Sequence, residues 1–129
     1  MLIPYFTGSL RERMEKLSGI LNRESGIILV GSSFGGLMAS IYAMENERSV
    51  DRLILLAPAI NLMEFMEYRS RTLPIPVWIY HGTNDEVIPL NEVEKVARNV
   101  FPHLSFHAVE DDHYLHKVFK TLDWDNLLG

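Results

Sequence analysis

A regular alternation of short apolar runs with amphipathic segments is the feature that most constrains this chain. Residues 27–30, 53–57 and 77–81 form continuous apolar runs, and each run stops at a glycine or a proline. Such runs are typical of strands that are buried on both faces of a parallel sheet. A fourth strand is predicted over residues 105–109.

Segments with the apolar spacing of an amphipathic helix separate these strands. The spacing predicts helices over residues 9–23, 35–45, 90–101 and 114–128, and a short helix within residues 61–72. Ser9, with Glu12 three residues later, matches the pattern of a capping box at the start of the first helix. The alternation predicts an α/β fold: a mostly parallel sheet with helices on both faces and functional residues at the carboxyl ends of the strands.

The composition limits the classes of fold and partner. A chain of 129 residues is expected to form one domain over residues 1–129. Its net charge of −5, with no local cluster of Lys and Arg, excludes nucleic acid as an expected partner. The absence of cysteine excludes disulfides and thiolate metal sites, and no apolar stretch has the length of a membrane span. We therefore expect a cytoplasmic protein.

The sharpest motif is Gly-x-Ser-x-Gly at residues 31–35, between a predicted buried strand and a predicted helix. In that context it predicts a nucleophile elbow, a strained turn that exposes the hydroxyl of its central serine at a helix N-terminus. Ser33 is the candidate nucleophile, and Ser32 is expected to point elsewhere. Taken alone, the motif also fits an ordinary turn or a phosphate-binding loop, although it lacks the lysine of a P-loop.

A serine nucleophile needs a general base, and the base needs an acid that orients it. Asp85 follows the third predicted strand, and His113 follows the fourth. Both side chains are therefore expected at the same sheet edge as Ser33, in the chain order Ser, Asp, His. Asp111, Asp112 and Glu86 compete with Asp85 for this role. Sequence neighbours of a histidine rarely reach its far ring nitrogen, and this favours Asp85.

These motifs resemble those of the α/β-hydrolase superfamily, over a stretch from about residue 4 to residue 126. The resemblance is carried by Gly-x-Ser-x-Gly-Gly at residues 31–36, His-Gly-x-x-Asp-x-x-(Val/Ile)-Pro at residues 81–89, and His113 after the last strand. Their spacing is similar to that of compact esterases and of carboxylesterase- or dienelactone-hydrolase-like members.

The resemblance implies roles for four residues: Ser33 as nucleophile, Asp85 as acid, His113 as base and the backbone N–H of Phe34 as one oxyanion donor. It also implies hydrolysis of a small carboxylic ester or thioester through an acyl-enzyme, with no cofactor and no metal. Two other classes stay open. One is a catalytically silent hydrolase fold that serves as a binding or interaction module, and the other is a phosphate- or nucleotide-binding module.

The amino end departs from the family pattern. Residues 1–8 resemble the end of the family's fourth strand, so we expect the earlier strands to be missing. Among them is the strand beside the nucleophile strand, whose following loop supplies the second oxyanion N–H. Residues 27–30 would then form an open sheet edge. We expect a second copy of the chain, another polypeptide, or residues upstream of a misassigned start to cover this edge.

Several other side chains have structural interpretations at this point. His81 is expected to pack at the start of its turn and to shape it. The remaining histidines lack zinc-ligand spacing with carboxylates and are expected to be structural; they are His103, His107 and His116. Three apolar side chains fit either a substrate pocket or simple packing, and they are Met63, Phe65 and Met66.

Overall fold

The computed structural model of the chain describes residues 1–115, 122 and 124–128. Its centre is a sheet of four parallel strands in the order β1-β2-β3-β4. The strands are β1 (Ile27–Ser32), β2 (Val50–Leu56), β3 (Val77–Gly82) and β4 (Leu104–Val109). Each overlaps one predicted strand, so the prediction of a parallel α/β sheet is confirmed.

In the part of the chain that the structure describes, four helices flank or connect the strands. They are α1 (Leu10–Leu21), α2 (Phe34–Glu45), α3 (Leu90–Val100) and α4 (Trp124–Leu128), with 3-10 turns over Glu47–Ser49 and Met63–Tyr68. The bounds of α1, α2 and α3 agree with the predicted helices to within two residues at each end. The second 3-10 turn lies in the segment that was predicted to contain a short helix. Within the described part of the chain, no helix has the length and apolar character of a membrane span.

The predicted start of the last helix is wrong. Tyr114 and Leu115 lie in a turn, in which the N–H of Leu115 donates to the carbonyl of Asp112 at 3.2 Å. Leu115 has φ 53°, a left-handed conformation that a right-handed helix cannot contain. The rest of that prediction, over residues 116–121 and 123, lies outside the described residues. Helix α4 covers its last part.

The start of α1 is fixed by the predicted capping box. The N–H of Glu12 donates to Ser9 Oγ at 3.2 Å, and the N–H of Ser9 donates to Glu12 Oε1 at 3.4 Å. The two side chains thereby satisfy two of the N–H groups that a helix start leaves without acceptors. This determines where the chain leaves the amino-terminal segment and turns into the helix.

Two apolar clusters cover the two faces of the sheet. Neighbouring strand residues point to opposite faces, so Leu29 packs in the larger cluster and Val30 in the smaller one. The larger cluster includes side chains from α1, α2 and α3, whereas the smaller one includes Leu127 from α4. Helices therefore cover both faces, as the alternation predicts.

The free side of β1 is partly covered by the chain's own amino end. Leu2 forms a parallel bridge with Val30, and the N–H of Ile3 donates to the Val30 carbonyl at 2.8 Å. The terminal amino group also donates to the carbonyl of Ile28. The expectation of a wholly open β1 edge is therefore wrong, because residues 1–3 occupy it. A second copy or another polypeptide at this edge stays a prediction.

The turn from β1 into α2 is closely packed around two glycines. A β-carbon added to Gly31 would overlap the backbone of Gly35, and one added to Gly36 would lie 2.7 Å from the β-carbon of Pro58. No side chain fits at either position without moving backbone. The small residues on both sides of Ser33 are thus a packing requirement of the turn.

We predict that Gly31→Ala lowers the free energy of unfolding by about 1–3 kcal/mol, because the added methyl group forces β1 and α2 apart. The matched control is Gly19→Ala in α1, where an added β-carbon meets nothing within 4 Å. This control should raise stability by about 0.5–1 kcal/mol, since alanine is the better helix former. Urea denaturation of both variants measures the difference. Equal stability of Gly31→Ala and wild type would contradict the packing argument.

Candidate active site

Three loops meet at the carboxyl edge of the sheet, and each presents one candidate residue. Ser33 directly follows β1, Asp85 lies in the loop after β3, and His113 lies in the loop after β4. Because the strands are parallel, their carboxyl ends lie at one edge. The fold thereby gathers side chains that are up to 80 positions apart in the sequence.

Ser33 occupies a strained turn between β1 and α2. Its backbone has φ 55° and ψ −116°, a combination that residues with a side chain rarely adopt. Its N–H donates to the carbonyl of Leu56 at 2.9 Å, which anchors the turn to the neighbouring strand. The next residue, Phe34, is the first of α2. The hydroxyl therefore lies at the positive end of a helix of 12 residues.

The side chains of Ser33, His113 and Asp85 form one continuous chain of hydrogen bonds. Ser33 Oγ lies 3.1 Å from His113 Nε2, and His113 Nδ1 lies 2.7 Å from Asp85 Oδ2. A carboxylate only accepts, so the Nδ1–H donates to it and Nε2 is left to accept the serine proton. The predicted residues are brought together in the geometry of an activated serine.

The side chain of Asp85 has no solvent exposure and is held as a carboxylate. Its Oδ1 accepts from the N–H of Ile88 at 2.7 Å and from the N–H of Val87 at 2.8 Å. Burial alone would raise the pKa of Asp85, but the Ile88 N–H, the His113 ring and the Val87 N–H outweigh it and keep the pKa below its ordinary value of 3.8. The acid is therefore ionised at neutral pH and fixes the orientation of the His113 ring.

A second histidine, His81, contacts the same carboxylate. His81 is completely buried, and its Nε2–H donates to the carbonyl of Ile88 at 2.8 Å while lying 3.2 Å from Asp85 Oδ2. Burial lowers the pKa of His81 below its ordinary value, although the Ile88 carbonyl and the Asp85 charge act in the opposite direction. The ring is thus neutral at pH 7. From the sequence, His81 was expected only to shape the turn, and its contact with Asp85 was not predicted. The position of both residues in one short motif, residues 81–89, was the signal that could have indicated it.

Asp111 and Asp112, two of the alternative acids, accept hydrogen bonds within their own loop. Asp111 Oδ1 accepts from the N–H of Asp112, and Asp112 Oδ1 accepts from the N–H of Tyr114 at 3.0 Å. Both carboxylates therefore help to shape the loop that carries His113. Among these candidates, Asp85 is the one whose carboxylate reaches His113 Nδ1.

A cavity of about 260 Å³ opens beside Ser33 and Phe34. Its lining also includes Pro4, Tyr5 and Phe6, which follow the segment that pairs with β1. We expected no loop in this position, and that expectation is wrong. The amino-terminal residues reach the site because residues 1–3 are aligned along β1 and direct the following chain toward Ser33.

The apolar side chains of the 3-10 turn do not line this cavity. Phe65 is completely buried in the larger cluster, whereas Met63 and Met66 are exposed. Of the remaining histidines, His103 is exposed, His107 stacks on Tyr80 with ring centroids 4.7 Å apart, and His116 lies outside the described residues. Among the described residues, no three His, Cys, Asp or Glu side chains form a cluster that could hold a metal ion.

Comparison with known families gives one match. Residues 4–74, more than half of the chain, match the family model described as the alpha/beta hydrolase fold. The chain belongs to this alpha/beta hydrolase family. The match includes the turn around Ser33, whereas Asp85 and His113 lie beyond the matched residues.

Several solved structures are similar to this chain in fold. Est1E from Butyrivibrio proteoclasticus has a TM-score of 0.76 and 16% identity, over 94% of this chain and 70% of that protein. An alpha-beta serine hydrolase homologue from Coxiella burnetii has a TM-score of 0.75 and 22% identity, over 96% of this chain and 60% of the other. A predicted CIB-like hydrolase from Thermoplasma acidophilum has a TM-score of 0.74 and 20% identity, over 94% of this chain and 60% of the other.

The likeness is one of fold, because the three identities lie between 16% and 22%. The chain spans 60% of the length of the Thermoplasma and Coxiella proteins. No curated protein sequence matches the chain. The chemistry must therefore be argued from the residues at the carboxyl edge of the sheet.

Because His81 is buried and neutral, we predict that the free energy of unfolding decreases in mild acid. Because its pKa is lower in the folded than in the unfolded chain, the unfolded chain binds more protons below the ordinary pKa of 6.5. The neutral His81 ring therefore contributes fully to the free energy of unfolding above about pH 6.5. That contribution is lost as the pH falls through the pKa of His81 in the folded chain. We expect the free energy of unfolding to decrease between about pH 7 and pH 5, and His81→Gln to reduce that slope.

Urea denaturation at the two pH values measures the slope, so a general loss of stability in His81→Gln does not affect the result. Ionisation of Asp85 does not contribute in this window, because its ordinary pKa is 3.8 and its folded pKa is lower. His103→Gln, at an exposed side chain, is the control and should keep the wild-type slope. An unchanged slope in His81→Gln would show that His81 is not held neutral by the fold.

Proposed function

We propose that this chain is a serine hydrolase that cleaves a small carboxylic ester or thioester through an acyl-enzyme intermediate. The observation that carries the proposal is the hydrogen-bonded series Ser33 Oγ, His113 and Asp85, with spacings of 3.1 and 2.7 Å. A serine hydroxyl is a weak nucleophile at neutral pH unless a base accepts its proton. His113 is within reach of that proton, and Asp85 stabilises the imidazolium that forms.

In the first step, Ser33 Oγ attacks the carbonyl carbon while its proton passes to His113 Nε2. The carbonyl double bond opens, and negative charge develops on its oxygen. The N–H of Phe34 is one of the first in α2 and has no acceptor within the helix, so it is free to donate to this oxyanion. We propose that a second donor comes from the backbone of Tyr5 or Phe6, which line the same cavity as Phe34.

In the second step, the tetrahedral intermediate collapses and the bond to the leaving alcohol or thiol breaks. His113 gives its proton to that leaving group, and the acyl group remains on Ser33 Oγ. A water molecule then attacks the acyl-enzyme, with His113 again as the base, and the carboxylic acid is released. Formation and hydrolysis of the acyl-enzyme use the same three side chains and the same oxyanion donors.

The comparisons support a hydrolase of this general type. The Coxiella protein is described as a serine hydrolase homologue, and a further structural match is described as a serine hydrolase involved in carbazole degradation. The latter has a TM-score of 0.74 and 13% identity over 97% of this chain. The choice of an ester or thioester rests on the resemblance to esterases at residues 31–36 and 81–89.

A fluorophosphonate probe tests the activated serine, because its phosphorus forms a bond to a nucleophilic Oγ. We expect one covalent adduct on the wild-type chain by intact mass and none on Ser33→Ala. We also expect Ser33→Ala to lower kcat/KM for 4-nitrophenyl acetate by about 10³-fold or more, since removal of a triad member abolishes the joint action of the three residues.

The matched control is Ser32→Ala, which removes the exposed hydroxyl next to the nucleophile and should keep the adduct. Thermal unfolding of each variant checks that the fold is kept. A folded wild-type chain that forms no adduct would contradict the proposed hydrolase and would favour a binding module. An adduct that persists in Ser33→Ala would place the nucleophile elsewhere.

A further inference from the structure

An arginine lines the same cavity as the candidate nucleophile. Arg13 lies on α1, and its side chain reaches the cavity of about 260 Å³ that contains Ser33 and Phe34. The guanidinium carbon lies 4.7 Å from the centroid of the Phe34 ring and 5.6 Å from that of Tyr5. The charge therefore lies in the same cavity as Ser33, over the ring of Phe34, the residue that follows the nucleophile in the sequence.

The position of this guanidinium is fixed at one end. Arg13 Nε donates to the carbonyl of Gly8 at 2.9 Å, and the guanidinium lies over the rings of Tyr5 and Phe34 within cation–π distance. These contacts leave the two Nη groups, for which the described residues offer no carboxylate within ion-pair distance. A guanidinium held in this way presents two parallel N–H donors, which match the two oxygens of a carboxylate.

The charges around the site are unequally distributed. The chain has a net charge of −5, yet none of the described residues that line the Arg13 cavity is acidic. A second cavity, which His113 also lines, includes Glu86 and Asp112 in its lining. A negatively charged group on a substrate would therefore be repelled from the Glu86 side and attracted to the Arg13 side.

We propose that Arg13 forms a carboxylate subsite, and that the esters or thioesters cleaved at Ser33 carry a second, ionised carboxylate. This rests on the proposed function for the identity of the bond that is cleaved. The carboxylate accepts from the two Nη groups of Arg13, and the rings of Tyr5 and Phe34 contact the apolar part of the substrate between the two ends. Arg13 is thus a specificity-determining residue and takes no part in proton transfer.

Matched ester pairs test this selectivity. One member of each pair is the mono-4-nitrophenyl ester of glutarate, adipate or suberate, and the other has its free carboxylate capped as a methyl ester. A fourth pair, 4-acetoxybenzoate and its methyl ester, places the charge on the leaving group. We expect the wild-type chain to have the higher kcat/KM for the charged member of at least one pair.

In that pair, Arg13→Gln should lower the ratio of charged to capped kcat/KM by roughly 10- to 100-fold, because charge-assisted hydrogen bonds are lost. The control is Arg11→Gln, which removes a charge from the same helix at an exposed side chain that pairs with Glu15. It should keep the wild-type ratio. Equal ratios in wild type and Arg13→Gln for all four pairs would overturn the subsite.

Binding to an inactive chain separates this proposal from the proposed function. In Ser33→Ala, the free dicarboxylates should perturb the NMR signals of Tyr5 and Phe34, and Arg13→Gln in that background should abolish the effect. Binding that depends on Arg13 without Ser33-dependent turnover would keep the subsite and contradict the hydrolase. Turnover without an Arg13-dependent preference or binding would keep the hydrolase and overturn the subsite.

Discussion

The site depends on the close approach of β1 and α2 at the turn around Ser33. Gly31 lets β1 and α2 approach each other, and Gly36 lets α2 approach Pro58 after β2, at distances that a β-carbon at either glycine would prevent. The strained backbone of Ser33 is offset by its carbonyl, which accepts from the N–H groups of Gly36, Leu37 and Ala59 at 2.9–3.2 Å. One packing constraint thereby exposes the hydroxyl, directs it at the helix N-terminus and aligns β1 with β2.

The second element of the site is a buried carboxylate with a full set of donors. Asp85 has no solvent exposure of its side chain, so its charge is stable only because the loop after β3 supplies two N–H groups and His113 supplies a third. The same contacts connect the loops after β3 and β4. The interaction that orients the base is therefore also part of what holds these loops together, and the neutral His81 ring fills the space beside it.

The sequence predicted the parallel sheet, three of the helices and the edge at which Ser33, Asp85 and His113 lie, because buried strands, amphipathic helices and turn glycines each leave a local pattern. It did not predict contacts that depend on where the chain lies in space. The pairing of Leu2 with Val30 was not predicted, because residues 1–3 are too few to show the alternating apolar pattern of a strand. In the sequence, Arg13 belongs to the charged face of an amphipathic helix, which is typical of a solvent-exposed side chain. Its place in the cavity depends on the position of Phe34 in the folded chain. The positive φ of 53° at Leu115 was not predicted, because leucine is not a residue type that marks a left-handed turn.

The central claim is that Ser33, His113 and Asp85 act as one unit, and the most direct test is the additivity of their losses. The measurement is kcat/KM for 4-nitrophenyl acetate in Ser33→Ala, in His113→Gln and in the double variant. If the histidine acts only through the serine, the double variant should be no slower than Ser33→Ala alone. Losses that multiply in the double variant would show that the two residues act independently, and would contradict the account.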